Sequence, residues 1–329
     1  MALNLKGKSF ISLEDFNQNE LLYLLNLATS LKFKRYAGNN TRALNGKNIV
    51  LLFDKPSTRT RCAFEVAAYE EGANVTFLSN SHMGHKESIE DTAIVLGLMY
   101  DGIEYRGYDH SVVQELAKYA GVPVWNGLTD KHHPTQTLAT LLTIQEKLKH
   151  KALNKVHIVY VGDGRNNVCN SLIIGAAKLG MHLTILGPET LYPDKELIDK
   201  IKQDAANNKA NIECSSNIEI VKGADVIYTD VWISMGEEEK IKERINILLP
   251  YQVNKEMLEK TNNPNVLFMH CLPAYHDTKT KVGLDVFEKY GLREMEVTDE
   301  VFRSTHSVVF EEAENRIHTI KAVMVATIN

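Results

Sequence analysis

Short apolar segments alternate with longer amphipathic ones along almost the whole chain of 329 residues. The segment from Asn48 to Phe53 is a nearly unbroken apolar run, and after Pro56 a helix-forming stretch extends from Thr58 to Glu71 and ends at Gly72. Such runs are typical of buried parallel strands, and helices often end at a glycine. The same alternation recurs downstream and predicts strands at Ile49–Phe53, Val75–Leu78, Gly102–Arg106, Pro123–Trp125, Lys155–Val161, Leu183–Leu186, Ile212–Cys214, Val226–Thr229 and Val266–Met269.

Strands that alternate with helices in this way predict an α/β fold built from βαβ units. An amphipathic helix near Asn19–Lys34 opens the chain, and a polar helix near Leu138–Lys149 is followed by a fresh strand at Lys155. The predicted boundary therefore lies near residue 150. We expect two doubly wound domains, 1–150 and 151–306, each with a mainly parallel sheet flanked by helices. A final helix, from about Ser307 to Ala326 within residues 307–329, is expected to pack back on the first domain.

Polar or unusual loops follow most of the predicted strands. In doubly wound sheets ligands bind beyond the carboxyl ends of the strands, so these loops are expected to meet at one edge of each sheet. They predict a functional site in the cleft between the two domains. The segments are Ser57–Arg61, Arg106, His133–Gln136, Gly162–Asn167, Asp230–Gly236 and His270–Pro273.

The composition of the chain excludes some classes of function and favours others. The chain has 44% apolar residues and a net charge of −5, without a basic run. Nucleic acid and anionic membranes are therefore not expected as partners, and a small-molecule enzyme fits better. No apolar stretch approaches the ~20 residues that span a bilayer, and the N-terminus lacks the pattern of a signal peptide. Four scattered cysteines, without a CxxC pair, suit a reducing cytoplasm.

The sequence Ser57-Thr58-Arg59-Thr60-Arg61 places two arginines at a predicted helix start. Backbone N–H groups and the positive end of the helix dipole make this a poor place for cations, by about 0.3 to 1 kcal/mol each, unless an anion lies between them. A bound phosphate resolves the conflict. The alternative is a capping serine or threonine followed by solvated arginines.

Several other motifs allow two interpretations. The turn Gly162–Asn167 suggests a dinucleotide fingerprint, but Asn167 stands where the third glycine belongs, which favours a hydrogen bond to substrate or a satisfied turn. The histidines near 133 and 270 lack the spacing of a zinc site, so no metal is predicted. His133 could simply precede a helix that begins at Pro134. Asp230 could cap a loop or receive an ammonium group, and Cys271 could be a buried small residue or a reactive one.

Four motifs together are specific enough to identify a family. STRTR at 57–61, HPTQ at 133–136, DVWISMG at 230–236 and HCLP at 270–273 occur in an order and spacing that closely resemble the ornithine carbamoyltransferases, within the aspartate/ornithine carbamoyltransferase family. The likeness covers essentially the whole chain. STRTR and HPxQ are shared across that wider family, whereas the SMG motif and HCLP indicate ornithine. A different amine acceptor, such as putrescine, is the alternative within the family.

The resemblance implies transfer of a carbamoyl group from carbamoyl phosphate to the side-chain amine of ornithine, giving citrulline and phosphate, without a metal or organic cofactor. It further implies that the first domain binds carbamoyl phosphate and the second binds ornithine. Both arginine synthesis and the reverse direction, in arginine degradation by the arginine deiminase pathway, would use the same groups. By the same resemblance, Ser57, Thr58, Arg59, Thr60, Arg106, His133, Gln136, Cys271, Leu272 and Arg316 would hold carbamoyl phosphate, Asn167, Asp230, Ser234 and Met235 would hold ornithine, and Arg106, His133, Asp230 and Cys271 would be catalytic.

One loop departs from the family pattern. The segment from Ser79 to Lys86 has His82 where many relatives carry glutamine. In the family this loop reaches the active site of a neighbouring subunit, so His82 is expected to be a phosphate ligand supplied by an adjacent chain. The family also suggests a homotrimer or a multiple of trimers.

Overall fold

The computed structural model describes residues 3–79, 81–233 and 238–329. Nine strands lie within this described part, each at or within a few residues of a segment that the apolar pattern predicts. They are β1 (Asn48–Phe53), β2 (Asn74–Ser79), β3 (Gly102–Arg106), β4 (Val124–Leu128), β5 (His157–Val161), β6 (His182–Leu186), β7 (Asn211–Ser215), β8 (Val226–Thr229) and β9 (Leu267–His270).

Helices separate almost all consecutive strands, as the predicted α/β fold requires. The described helices are α1 (Gln18–Tyr36), α2 (Thr58–Glu70), α3 (Ile89–Met99), α4 (His110–Tyr119), α5 (Pro134–Lys147), α6 (Asn167–Leu179), α7 (Lys195–Asn208), α8 (Ile241–Leu248), α9 (Lys255–Lys260), α10 (Lys281–Tyr290), α11 (Asp299–Phe302) and α12 (Val309–Ile328).

The chain forms two compact units, residues 1–142 with 313–329, and residues 143–312. Helices α5 and α12 each contribute residues to both units. The sequence predicts this boundary near residue 150 and a returning segment from residue 307. Within the first unit, residues of α12 pack beside α1 and α2, where the buried Lys321 pairs with Glu70 over 2.6 Å.

The first unit contains a parallel sheet in the order β2-β1-β3-β4. The inner strand β1 is apolar on both faces from Ile49 to Phe53, and Val50, Leu52 and Ile103 are fully buried beside Val113 of α4. Phe53 pairs with Arg106 in the register of β1 and β3. The segment after β1 and the last residue of β3 therefore lie at the same edge of the sheet.

The second unit contains a parallel sheet in the order β7-β6-β5-β8-β9. Val161 is the register partner of Thr229, and Thr229 is the partner of His270. Gly162, Asp230 and Cys271, which directly follow these residues, therefore emerge side by side at the carboxyl edge. This is the position that favours ligand binding in doubly wound sheets.

Candidate active site

Thr60 is the centre of a cationic cluster in the first unit. Its side chain is fully buried, and its hydroxyl oxygen accepts hydrogen bonds from the guanidinium groups of Arg106, over 3.2 Å, and Arg316, over 2.7 Å. The three residues belong to α2, β3 and α12. Two buried guanidinium groups thus converge on one hydroxyl, and guanidinium groups are well suited to bind an anion such as a phosphate.

Ser57, which is expected to bind the anion, also caps the N-terminus of α2. Ser57 adopts an extended conformation, and its hydroxyl accepts a hydrogen bond of 3.2 Å from the backbone N–H of Thr60, so Ser57 is the N-cap. Thr58 is exposed and Arg59 is half-buried in the first turn. The capping interpretation of Ser57 therefore holds, and it leaves the next backbone N–H groups at a helix N-terminus.

The two arginines of this segment differ in their surroundings. The Arg61 guanidinium donates to Glu65 over 2.8 Å and lies 3.6 Å from the centre of the Phe77 ring. The charge of Arg61 is therefore met by Glu65 one turn later, and Arg61 does not by itself require an anion at the helix start. The charge of Arg59, by contrast, acts on His133.

His133 and Gln136 are both buried at the start of α5, which begins at Pro134. Burial, together with the positive charges of Arg316, Arg106 and Arg59, holds the pKa of His133 well below its ordinary value. The imidazole is therefore neutral at physiological pH and carries one N–H donor. Because the cations responsible belong to the Thr60 cluster or lie beside it, His133 belongs to the same site.

His82 lies in a loop of the first unit and is exposed. Its carbonyl oxygen accepts hydrogen bonds from the backbone N–H groups of His85, Lys86 and Glu87, which shape a tight turn. This turn holds the residue at the surface. The proposed role of His82 depends on a second chain, and it stays a prediction.

Asp230 is the centre of the second unit's candidate site, directly after β8. The carboxyl group is buried and accepts hydrogen bonds from the thiol of Cys271, over 2.9 Å, and from the side-chain amide of Asn166, over 3.2 Å. Burial raises the pKa of Asp230, although His270 and Cys271 act to lower it. A carboxyl group held at a strand end in this way can receive an ammonium group, whose positive charge would favour its ionised form.

Asn166 is a site residue that sequence reasoning missed. It is the N-cap of α6, and its side-chain amide also donates to the hydroxyl of Tyr160 over 2.6 Å. Asn167, the residue selected from the sequence, is the first residue of α6, and its carbonyl accepts from Ser171. The sequence contains a signal for the capping role of Asn166, because an asparagine after a glycine turn and before an apolar run is a typical N-cap.

The segment after β9 is held by buried polar contacts. The backbone N–H of Leu272 donates to the Nδ1 of His270 over 2.9 Å, which places the imidazole proton on Nε2, 3.3 Å from a carboxylate oxygen of Glu296. Leu272 has a positive φ of 58°, which is uncommon for a leucine. His270 therefore acts as a fixed support for the backbone that follows it, while Cys271 turns toward Asp230.

The ligand atoms of Asp230, His270 and Cys271 lie within 4.8 Å of one another, so these three groups could hold a metal ion. The spacing of these residues along the chain does not indicate the group, because its members come together only where β8 and β9 lie side by side. A second group of this kind is His276, Asp277 and Asp299, which Arg303 and Lys279 already neutralise in part.

The glycine turn after β5 is closed by an ion pair. Asp163 lies 2.9 Å from the guanidinium of Arg244, and both side chains are buried. A Cβ at Gly164 would lie 2.9 Å from the carbonyl oxygen of Leu191, so a larger residue does not fit there. Gly164 thus has a local packing reason. Ser234 and Met235, which the family resemblance assigns to ornithine, lie outside the described residues.

The chain matches two protein-family models that together cover most of its length. Residues 8–146 match the model of the aspartate/ornithine carbamoyltransferase carbamoyl-P binding domain, and residues 154–327 match that of the Asp/Orn binding domain. The chain is 60% identical to the catabolic ornithine carbamoyltransferase of Clostridium perfringens strain 13, over 99% of both chains. It is 58% identical to the ornithine carbamoyltransferase of Staphylococcus aureus strain Mu50, over 99% of this chain and 98% of that one.

The chain is also similar to solved structures of ornithine carbamoyltransferases. The ornithine carbamoyltransferase from Pyrococcus furiosus is 41% identical and superimposes with a TM-score of 0.90 over 99% of both chains. The enzyme from Gloeobacter violaceus is 35% identical, with a TM-score of 0.83 over 99% of this chain and 100% of that one. Sequence identity and structural superposition therefore both relate the chain to ornithine carbamoyltransferases over 99% of its length.

Proposed function

Since the chain belongs to the aspartate/ornithine carbamoyltransferase family, we propose that it transfers the carbamoyl group of carbamoyl phosphate to the side-chain amine of L-ornithine, giving L-citrulline and phosphate. The observation that carries this proposal is the pair of buried guanidinium groups, from Arg106 and Arg316, on the hydroxyl of Thr60. The relatives at 58% and 60% identity bear the name of this activity.

The first unit, residues 1–142 with 313–329, is proposed to bind carbamoyl phosphate. Arg59 and the N-terminal backbone of α2, capped by Ser57 and followed by Thr58, would hold the phosphate group. Arg106 would bridge the phosphate and the carbonyl oxygen, as the planar fork of a guanidinium group permits. Gln136 and Arg316 would hold the carbamoyl amide.

The hydroxyl of Thr60 has a specific part in this proposal. A hydroxyl group offers one donor proton and two acceptor lone pairs, and Arg106 and Arg316 both donate to its oxygen. The proton of Thr60 therefore points away from both guanidinium groups and is available to a substrate oxygen. The arginines polarise the hydroxyl and make it a better donor.

Charge development in the reaction explains the need for these donors. When a neutral amine attacks the carbamoyl carbon, negative charge grows on the carbonyl oxygen, and phosphate leaves with more charge than it had as an ester-like group. Thr60, Arg106 and neutral His133 are proposed to stabilise that oxygen. Donors fixed in advance act most strongly in a site from which water is excluded, and one such donor is worth about 2.7 to 4 kcal/mol of barrier height.

The second unit, residues 143–312, is proposed to bind ornithine. Asp230 would receive an ammonium group, with Asn166, Asn167, Ser234 and Met235 as further ligands of the amino-acid part. The thiol of Cys271 would lie near the reacting amine. That amine has a reference pKa near 10.4 if it behaves like lysine, so the site must favour its neutral form. The cations of the carbamoyl phosphate site and the loss of water would do so.

Several copies of the chain are proposed to assemble, as a trimer or a multiple of trimers. One face of α3 exposes four large apolar side chains, Ile94, Val95, Leu98 and Met99, and the Leu98 side chain is 84% exposed. An apolar face of this kind is a typical protein contact surface. His82 is proposed to reach the carbamoyl phosphate site of an adjacent chain in such an assembly.

The protein is also proposed to act in the cytoplasm. No disulfide joins Cys62, Cys169, Cys214 and Cys271, and the helices described include none that is long and apolar enough to cross a membrane. The first observation supports a reducing compartment.

The experiment that tests the proposed function measures both products. Purified protein is incubated with carbamoyl phosphate and ornithine, and citrulline and phosphate are quantified over time. The proposal expects the two to form in equal amounts and only when both substrates are present. Phosphate release without citrulline would instead indicate a phosphatase.

A further inference from the structure

Glu104 is a buried acid next to the cationic cluster, and neither the sequence motifs nor the proposed mechanism assigns it a role. It lies on β3 two residues before Arg106. Since alternate residues of a strand point to the same side, the two side chains share one face of the sheet. Both side chains are buried, and Glu104 has no accessible surface.

The carboxyl group of Glu104 is buried without a hydrogen bond from the described residues. Neither of its oxygens has a hydrogen-bond partner in the part of the chain that the structure describes. An ionised carboxylate in that condition is among the most costly groups to bury, whereas a neutral acid costs far less. Consistent with this, burial raises the pKa of Glu104 well above its ordinary value, although the charges of Arg106 and Arg316 act to lower it.

Gly127 on β4 makes the space that the carboxyl group occupies. A Cβ at this position would lie 1.9 Å from Glu104 Oε1 and 3.1 Å from the Cγ2 of Thr60. The carbonyl oxygen of the same glycine is 3.5 Å from the Arg106 guanidinium. Glu104, Thr60 and Arg106 are therefore packed around one backbone unit, and we expect a change in the bulk of Glu104 to reach Arg106 through Gly127.

The charges near the Glu104 carboxyl group come from two arginines on two different elements. Arg106 comes from its own strand and Arg316 from α12, whereas Thr60 from α2 and Gly127 from β4 carry none. An ionised Glu104 would neutralise one guanidinium and compete with an incoming phosphate for it. A neutral Glu104 fills the same volume and leaves both positive charges in place.

We propose that Glu104 is a positioning residue, which as a neutral carboxylic acid packs Arg106 in place and leaves the guanidinium charge for carbamoyl phosphate. The inference rests on the proposed function, because Arg106 matters to turnover only if carbamoyl phosphate is the substrate. Glu104 itself does not touch the substrate in this scheme.

Two substitutions separate shape from charge. Glu104→Gln keeps the size and polarity of a neutral acid, so its kcat is expected to stay within about threefold of wild type. Glu104→Ala leaves a gap beside Arg106, and the resulting displacement is expected to lower kcat by about 10- to 100-fold, with a smaller change in KM for carbamoyl phosphate. Circular dichroism and thermal melts establish that each variant is folded.

Infrared difference spectra of wild type against Glu104→Gln provide a readout that a purely structural role would not produce. The inference expects the carbonyl band of a protonated carboxyl group at pH 7.5 in the wild-type protein. Bands of an ionised carboxylate, or a Gln variant as impaired as the Ala variant, would overturn it. If wild type makes citrulline while either of those results is found, only the role of Glu104 fails. If wild type makes none, the proposed function fails as well.

Discussion

Arg316 donates a hydrogen bond of 2.7 Å to the hydroxyl of Thr60, a residue 256 positions earlier in the chain. The bond joins the last helix to the first turn of α2, and both side chains are buried. Because Arg106 donates to the same oxygen, the only hydrogen of the hydroxyl is directed elsewhere. The proposed carbamoyl phosphate site thus includes a residue of the last helix, α12.

The Thr60 hydroxyl can be tested by two substitutions of similar size. Thr60→Val keeps the shape and removes the donor, so kcat/KM for carbamoyl phosphate is expected to fall by about 100- to 1,000-fold, the usual effect of losing one such donor. Thr60→Ser keeps the hydroxyl and should recover most of that loss. Citrulline formation at saturating ornithine measures both, and equal activity of the Val and Ser variants would show that the hydroxyl has no part in turnover.

The two arginines of the STRTR segment are expected to behave differently. Arg59→Ala should raise KM for carbamoyl phosphate by about 10- to 100-fold, since a charge-assisted hydrogen bond to phosphate is worth about 1.5 to 3 kcal/mol. Arg61→Ala should change it by less than about threefold, because Arg61 pairs with Glu65 at a half-exposed position where ion pairs contribute little. Steady-state kinetics on both variants decides the matter. A larger effect of Arg61 than of Arg59 would reverse the assignment.

Asp230→Asn is expected to affect ornithine alone. The variant keeps the size of the side chain and loses its charge, so KM for ornithine should rise by about 10- to 100-fold. The dissociation constant of carbamoyl phosphate, measured by calorimetry without ornithine, should not change. Asp204→Asn is the matched control, since Asp204 pairs with Lys178 at the surface. A comparable loss of carbamoyl phosphate affinity in Asp230→Asn would refute the division of roles between the two units.

A pair of stacked histidines on the second sheet predicts how stability depends on pH. The rings of His157 and His182 are 3.8 Å apart and nearly parallel. Burial and the neighbouring His182 lower the pKa of His157 from 6.5 to about 4. Between these values the unfolded chain binds more protons than the folded protein, so the free energy of unfolding decreases as the pH falls from 6.5 toward 4.

The size of this effect is about 1 to 2 kcal/mol once the partial exposure of the ring is allowed for. Urea titrations from pH 7 to pH 4 should therefore show a steeper loss of stability in wild type than in His157→Gln. His150→Gln, at an exposed histidine, should keep the wild-type slope. Identical slopes for wild type and His157→Gln would exclude His157 as the source.

Strand positions were predictable because each parallel strand is an apolar run between turn residues, a local property of the sequence. The residues at the carboxyl ends followed from topology, since parallel strands bring Arg106 and the segment after Phe53 to one edge. What remained unpredictable from residue types was which side of a helix a side chain occupies. Arg59 and Arg61 are about 200° apart around the axis of α2, so they cannot serve one ligand equally.

For Asn166 and Asn167, too, residue type alone does not predict which side chain faces the site. The two residues are consecutive, yet Asn166 is the N-cap whose side chain reaches Asp230, whereas Asn167 is the first residue of α6. The contact of Arg316 with Thr60 depends on how α12 returns to the first unit. The family resemblance implied that Arg316 holds carbamoyl phosphate, but it did not indicate this contact. Glu104 gave no signal in the sequence, because a glutamate within an apolar strand is recognisable as a buried acid only once the sheet and its neighbours are known.

The central claim is that the acceptor of the carbamoyl group is ornithine, and a comparison of acceptors tests it most directly. Purified protein is given saturating carbamoyl phosphate with ornithine, putrescine or aspartate, and kcat/KM is measured for each. A site that binds both ends of ornithine should prefer it by at least about 1,000-fold, since buried polar groups left unpaired by a smaller amine are costly. Equal or faster turnover of putrescine or aspartate would contradict the account.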